Sequence, residues 1–201
     1  MASIPNTGFE VKVTNMQYNA TQNIAGTFVD SSGEADVCPS GFLCTRKEHL
    51  PNSGYRTVRN GNAWTMEAAA SGAPSATGTI PKIYAYNSYD VNKVGHGSDL
   101  WMVGANTFGL ELPAGDIGTF TEIIENEQYV FAAGNFSTAP TDLATTKYAT
   151  IADGHLVASA TAPAAGIGLW FEIIEQANIT VGTRSWGTAY RVIARYNGPA
   201  A

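Results

Sequence analysis

The chain has 201 residues, 44% hydrophobic but only 14% charged, and a formal charge of −6 from 11 basic and 17 acidic residues. That length holds one large domain or two small ones, and the acidic balance excludes a general electrostatic grip on nucleic acid. No apolar run approaches the roughly 18 residues of a membrane helix, and Met1-Ala2-Ser3-Ile4-Pro5-Asn6-Thr7-Gly8 lacks the basic-then-apolar order of a signal peptide, so cytoplasmic synthesis without a membrane partner is the expectation.

Residues 1–8 are small and polar and read as an N-terminal arm. Phe9-Glu10-Val11-Lys12-Val13-Thr14 alternates apolar and polar residues as a half-buried strand does. Gly26-Thr27-Phe28-Val29 predicts a second strand, closed by the turn residues Asp30-Ser31-Ser32-Gly33. Short strands follow at Asp36-Val37-Cys38 and Gly41-Phe42-Leu43-Cys44. Residues 45–62 hold a dense charge cluster, Arg46-Lys47-Glu48-His49, and read as a long exposed excursion. Residues 63–70 fit a strand or a short helix. Ile80-Pro81-Lys82-Ile83-Tyr84-Ala85-Tyr86 is strand-like, and further apolar runs at 100–103 and 108–110 complete a first half.

The second half opens on a stretch that recurs fifty positions later. Pro113-Ala114-Gly115-Asp116-Ile117-Gly118-Thr119-Phe120-Thr121-Glu122-Ile123-Ile124-Glu125 is answered in register by Pro163-Ala164-Ala165-Gly166-Ile167-Gly168-Leu169-Trp170-Phe171-Glu172-Ile173-Ile174-Glu175. Each copy predicts a Pro/Gly corner leading into a strand, with 119–125 and 169–175 in the same sheet. Asp153-Gly154, between Tyr148-Ala149-Thr150-Ile151 and His155-Leu156-Val157, is a hairpin signal. In the last strand Tyr190, Val192, Ala194 and Tyr196 alternate against Arg191, Ile193 and Arg195.

A longer echo links the halves. Phe9 to Tyr18 matches Phe120 to Tyr129 at an offset of 111, and Ala25-Gly26-Thr27-Phe28 matches Ala133-Gly134-Asn135-Phe136. Chance explains any single pair; the preserved order is what a tandem duplication leaves. The fold expectation is mainly β: two small β-sandwich or β-barrel-like modules, 9–111 with loop insertions and 112–201, with long loops and little helix.

Chemical signatures are sparse. Glu122 and Glu125, like Glu172 and Glu175, stand three apart, a spacing that puts strand residues on opposite faces and keeps the pair from converging as glycosidase carboxylates. His49, His96 and His155 have no metal-ligand spacing, and Cys38, Cys44 and His49 lack a fourth zinc ligand and a C-x-x-C knuckle. Cys38 and Cys44 read first as buried free thiols, with a disulfide or a metal pair as alternatives. Asp30, Glu34 and Asp36 form an acidic loop without calcium-motif spacing, and no G-x-S-x-G is present. The expectation is therefore no enzyme, with no catalytic residues, no cofactor and no metal. Aromatic residues are the better lead. Tyr84, Tyr86 and Tyr89, with Trp101, have the amphipathic makeup of an interface or a glycan platform.

The stretch from Ala25-Gly26-Thr27-Phe28 to Gly41-Phe42-Leu43-Cys44, and Tyr148-Ala149-Thr150-Ile151-Ala152-Asp153-Gly154-His155-Leu156-Val157, in an acidic, charge-poor chain with an N-terminal arm, resemble tailed-bacteriophage virion proteins. Among these the chain is most similar to head decoration (cement) proteins and related head fibres. The resemblance implies a non-enzymatic structural protein on the capsid surface of the virion, synthesised in the host cytoplasm. Its partners would be the major capsid protein or neighbouring virion subunits, and its form a homo-oligomer. A carbohydrate- or receptor-binding β module of a phage tail or surface appendage is the alternative.

Overall fold

The computed structural model describes residues 9–12, 23–51, 62–73, 81–87, 111–181 and 184–197. The expected strand at 100–103, and with it Tyr89, His96 and Trp101, lies outside these residues. The described chain is mainly β and holds a single short 3-10 turn, Ala133–Asn135, and no α-helix. No helix among the described residues is long and apolar enough to cross a membrane.

Five strands close into a barrel: β2 (Asn23–Phe28), β5 (Asn62–Ala68), β4 (Leu43–Pro51), β6 (Ile83–Asn87) and β8 (Gly118–Glu122), in that order around the wall. Seven strands form an open sheet in the order β1 (Phe9–Lys12), β9 (Gln128–Ala132), β14 (Arg184–Asn197), β13 (Gly168–Val181), β11 (Tyr148–Ala152), β12 (His155–Ser159), β10 (Phe136–Thr138). A two-stranded patch of β3 (Cys38–Pro39) and β7 (Glu111–Leu112) is separate from both.

The chain does not divide between the two sheets at residue 112. β1, from the N-terminus, adds to the seven-stranded sheet with Phe9 opposite Phe131. β8, from the second half, closes the barrel between β2 and β6, with Phe120 opposite both Ile24 and Tyr86. The two groupings also differ in strand number and closure.

Alternation along the strands explains how they pack. In the barrel, Phe28, Cys44, Met66, Tyr84, Tyr86 and Phe120 point inward and form one core with Cys38 and Leu112. Leu43, Ile83 and Ala85, one residue out of step on β4 and β6, face the other way. They join a larger core with Tyr129, Phe131, Phe171, Tyr190 and Val192 of the sheet. The β4–β6 wall is thus buried on both sides, with the sheet packed on its outer face. Fully burying a side chain of this size stabilises by about 1.5–3 kcal/mol relative to exposure.

Main-chain hydrogen bonds stitch the two layers. The Leu43 amide donates to the Gly154 carbonyl at 2.9 Å, the Gly154 amide to Ala69 at 2.9 Å, and the Ala69 amide to Leu43 at 2.9 Å. The buried Asn135 side chain donates to the Ser40 carbonyl at 2.7 Å.

Local chemistry sets several of these elements. Asp153 and Gly154 both take positive φ, 46° and 75°, and Ala152 pairs directly with His155, the two-residue hairpin that Asp-Gly favours. Both copies of the repeated stretch do form a turn followed by a strand. The Asp116 amide donates to Pro113 and the Ile167 amide to Ala164, each across a turn whose third residue is a glycine with positive φ, Gly115 and Gly166. The strands that follow, β8 and β13, lie in different sheets. The first copy leaves its strand after Glu122, where the Ile123 amide donates to Ile83 at 2.8 Å. The second continues through a bulge between Ile173 and Glu175, which puts Ile174 on the surface at 44% exposure.

The charge cluster at 46–49 is not a loop excursion. It lies within β4, which among the described strands pairs with β6 only over Leu43 to Thr45 and beyond that with β5 alone. Strand edges favour charge, and here the charges are used: Lys47 pairs with Glu67 at 2.6 Å, and the Arg46 guanidinium stands 4.2 Å from the centre of the Trp64 ring.

Cys38 and Cys44 are free and buried. Burial pushes the Cys38 thiol well above its ordinary 9.0, with the neighbouring Cys44 thiol adding to the shift. Burial likewise raises Tyr84 and Tyr129 above 10.0, against the opposing hydrogen bond from the Ile124 amide at Tyr129. All three groups stay neutral in the folded state, whereas the unfolded chain ionises near the ordinary values. Their stabilisation is therefore complete below about pH 9 and is lost as pH rises toward the folded values. Thermal melts should give a level Tm from neutrality to about pH 9, then a decline that steepens above about pH 10, where the tyrosines join. A Cys38→Ala variant should lose the earlier part of the decline. A level Tm through the whole alkaline range would contradict this assignment.

Candidate functional site

Where barrel and sheet meet, a cleft of about 320 Å³ opens to solvent. Its apolar floor is Pro81, Ile123 and Leu169, and its rim carries Lys82, Glu122, Glu125 and Tyr196. The residues come from four places. Pro81 and Lys82 precede β6, Glu122 ends β8, Ile123 and Glu125 lie in the crossing to β9, and Leu169 and Tyr196 are a directly opposed pair on β13 and β14. The first copy of the repeated stretch thus supplies one side of the cleft and the second copy part of the floor.

The crossing that displays Glu125 is held firmly. The Asn126 amide donates to Ala194 at 2.7 Å and the Ala194 amide to Glu127 at 3.0 Å. Asn126 takes φ 67°, in the left-handed region where Asn is one of the few tolerated residues. Arg195 donates through Nη1 to Asn126 Oδ1 at 2.8 Å and through Nε and Nη2 to Glu172 Oε2 at 2.9 and 2.7 Å. Sites carried on such fixed elements hold their geometry better than sites on free loops.

The charges in the cleft differ in what they already hold. Lys82 Nζ stands 3.0 Å from Glu122 Oε1 and 3.3 Å from Oε2, so this pair neutralises itself. Glu125 is exposed and makes no ion pair with a described residue. The other repeated glutamates are engaged: Glu172 with Arg195, and Glu175 with Arg191 at 2.8 Å. Among the described residues no group of three or more His, Cys, Asp or Glu stands together as a metal site. The Asp30 loop is likewise self-satisfied. Its carboxylate accepts from the Ser32 hydroxyl and from the Ser32 and Glu34 amides, and these hydrogen bonds, the Ser32 hydroxyl first, hold it below 3.8.

The expected aromatic interface does not form as a surface. Tyr84 is 1% and Tyr86 2% exposed, both inside the barrel, with the Tyr86 ring 5.5 Å from Phe120. Their alternation with Ala85 looks amphipathic in sequence, but Ala85 faces the packed sheet rather than solvent. Tyr89 and Trp101 lie outside the described residues. Trp64 and Trp170 are half-buried against Arg46 and Tyr148. The histidines serve as ring partners, His49 against Trp64 and His155 against Phe42, at 4.9 and 5.0 Å.

In the sequence Glu125 reads as a strand carboxylate that cannot converge with Glu122, and Tyr196 as one of an alternating row in the last strand; neither is marked as a site residue. The available signal for the first was its turn context, Glu-Asn-Glu; for the second, its place at the end of an apolar alternation, where a strand leaves the core. Comparison with protein-family models, with curated proteins and with solved structures finds no match to the chain.

Proposed function

We propose that the chain is a non-enzymatic structural protein of a tailed-bacteriophage virion, a decoration protein that binds the assembled capsid shell and stabilises it as a homo-oligomer. Its partners are the major capsid protein or neighbouring virion subunits. The observation that supports this most is the β13–β14 ribbon. Asn178 to Val181 and Arg184 to Thr188 pair with each other and, among the described strands, with no third. A two-stranded ribbon alone is marginally stable in water, and its open edges offer backbone donors and acceptors to a neighbouring surface. The sparse charge of the chain fits the same use, since many neutral contacts repeated over a lattice accumulate into strong binding from modest single interfaces.

The purified chain, mixed with expanded capsid shells that lack it, should co-sediment with them and raise their resistance to heat. A variant whose ribbon is cut back to a two-residue turn joining the opposed Ala177 and Ala189 should keep its own melting temperature and lose the shells. Failure of the intact chain to bind would overturn the proposal. The alternative, a carbohydrate- or receptor-binding module, has no exposed aromatic row among the described residues to rest on, because Tyr84 and Tyr86 are core.

A further inference from the structure

We infer that the cleft between barrel and sheet receives one basic side chain, lysine or arginine, presented by an extended segment of a partner protein. The inference holds whatever the partner's identity, and so stands apart from the virion reading. Three properties of the cleft point to this occupant.

The first is charge. Glu122 and Glu125 against Lys82 leave one negative charge, and the Lys82–Glu122 pair accounts for the other two. Glu125 stands on an exposed turn and makes no ion pair among the described residues, so an incoming cation would meet a carboxylate with no described partner to displace. The second is the floor. Pro81, Ile123 and Leu169 present apolar surface, which a sugar's hydroxyls would not match but the methylene stem of lysine or arginine covers well. The third is Tyr196, half-buried at the rim, whose ring face offers a cation the attraction of its quadrupole. A stem lying on the floor with its head between Glu125 and Tyr196 uses all three at once. The Asn126 and Arg195 contacts fix the turn beforehand, so little ordering is left to be done on binding.

The test is an NMR titration of the full chain with N-acetyl-lysine methylamide and N-acetyl-arginine methylamide, using N-acetyl-norleucine methylamide as the uncharged control. Saturable shifts are expected at Ile123, Leu169 and Tyr196 for both basic derivatives, with the control about tenfold weaker, the share of one charge-assisted contact. Glu125→Gln should bring the lysine derivative down to the level of the control and leave the control unchanged. Glu125→Lys should abolish binding of both basic derivatives. Glu125 is exposed and makes no ion pair among the described residues, so both variants should melt like the parent. Equal affinity for lysine and norleucine derivatives, shifts that map away from the cleft, or saturation by a neutral disaccharide in place of the lysine derivative would each overturn the inference.

Discussion

Gly168→Ala is expected to destabilise the fold by about 3–5 kcal/mol, summing a left-handed backbone penalty, overpacking and a lost hydrogen bond. Gly168 sits at φ 74°, where a Cβ crowds the following carbonyl oxygen. A Cβ built there would also lie 1.9 Å from the Gly72 carbonyl oxygen and 2.7 Å from its carbon, and backbone cannot rotate away as a side-chain tip can. That same Gly72 oxygen accepts the Leu169 amide at 2.9 Å, so relief of the clash breaks the bond that ties the start of β13 to the loop after β5. Gly33→Ala is the control. Gly33 has φ 86° with nothing within 4 Å of its Cβ position, so it should lose only the conformational part, about 1 kcal/mol. Denaturant titration of the two variants separates the contributions. Equal losses would show that the close approach of the two backbones carries no weight.

Phe131→Ala should cost about 3–5 kcal/mol, the range for deleting a fully buried aromatic ring. Phe131 is central in every direction. It pairs with Phe9 on one side and Tyr190 on the other, and its ring lies 5.6 Å from Phe171 and 6.4 Å from Tyr129. It also faces the barrel's outer wall within the shared core, so the cavity would open between two layers, neither of which can collapse alone. Tyr148→Ala, at a half-buried position whose ring meets Trp170 at 5.7 Å, should cost about 1 kcal/mol, the scale of one exposed aromatic pair. A loss at Phe131 no larger than that at Tyr148 would mean that sheet and barrel do not depend on a common core.

These residues also show what could and could not be read from the chain. Strand identity was legible because alternation, β-branching and turn residues are local. Asp153-Gly154 specified its hairpin, and both Pro/Gly corners of the repeated stretch lead into strands. Sheet membership was not legible, because pairing is decided by partners far away in sequence. The strand at Phe120 and the strand at Trp170 look alike, yet one closes a barrel and the other runs through a sheet. Tyr84 and Tyr86 misled for a related reason. A strand buried on both faces shows no polar alternation to betray it, and the small Ala85 between two tyrosines imitates a surface ribbon. The Arg46–His49 cluster misled in the opposite sense, since charge marked a strand with one edge unpaired among the described strands and not a loop. The cleft was hidden for the most basic reason. Its walls come from residues 81–82, 122–125, 169 and 196, and only the packing of one layer on the other brings them together.

The placement of β1 and β8 sets an order of events during synthesis. When residues up to 111 have emerged, the barrel has four of its five strands and an open gap between β2 and β6, while β1 waits for a sheet that has not yet been made. Only when residues 118–122 arrive can the gap close, and the next few residues begin the strand on which β1 will dock. The barrel therefore closes late and the sheet later still, when β14 takes its place between β9 and β13, through pairings more than 90 residues apart in sequence such as Asn23 with Thr121 and Phe9 with Phe131. Contacts of that separation make folding slow, and for that interval the nascent chain carries unpaired strand edges that would adhere to one another before they find their own partners.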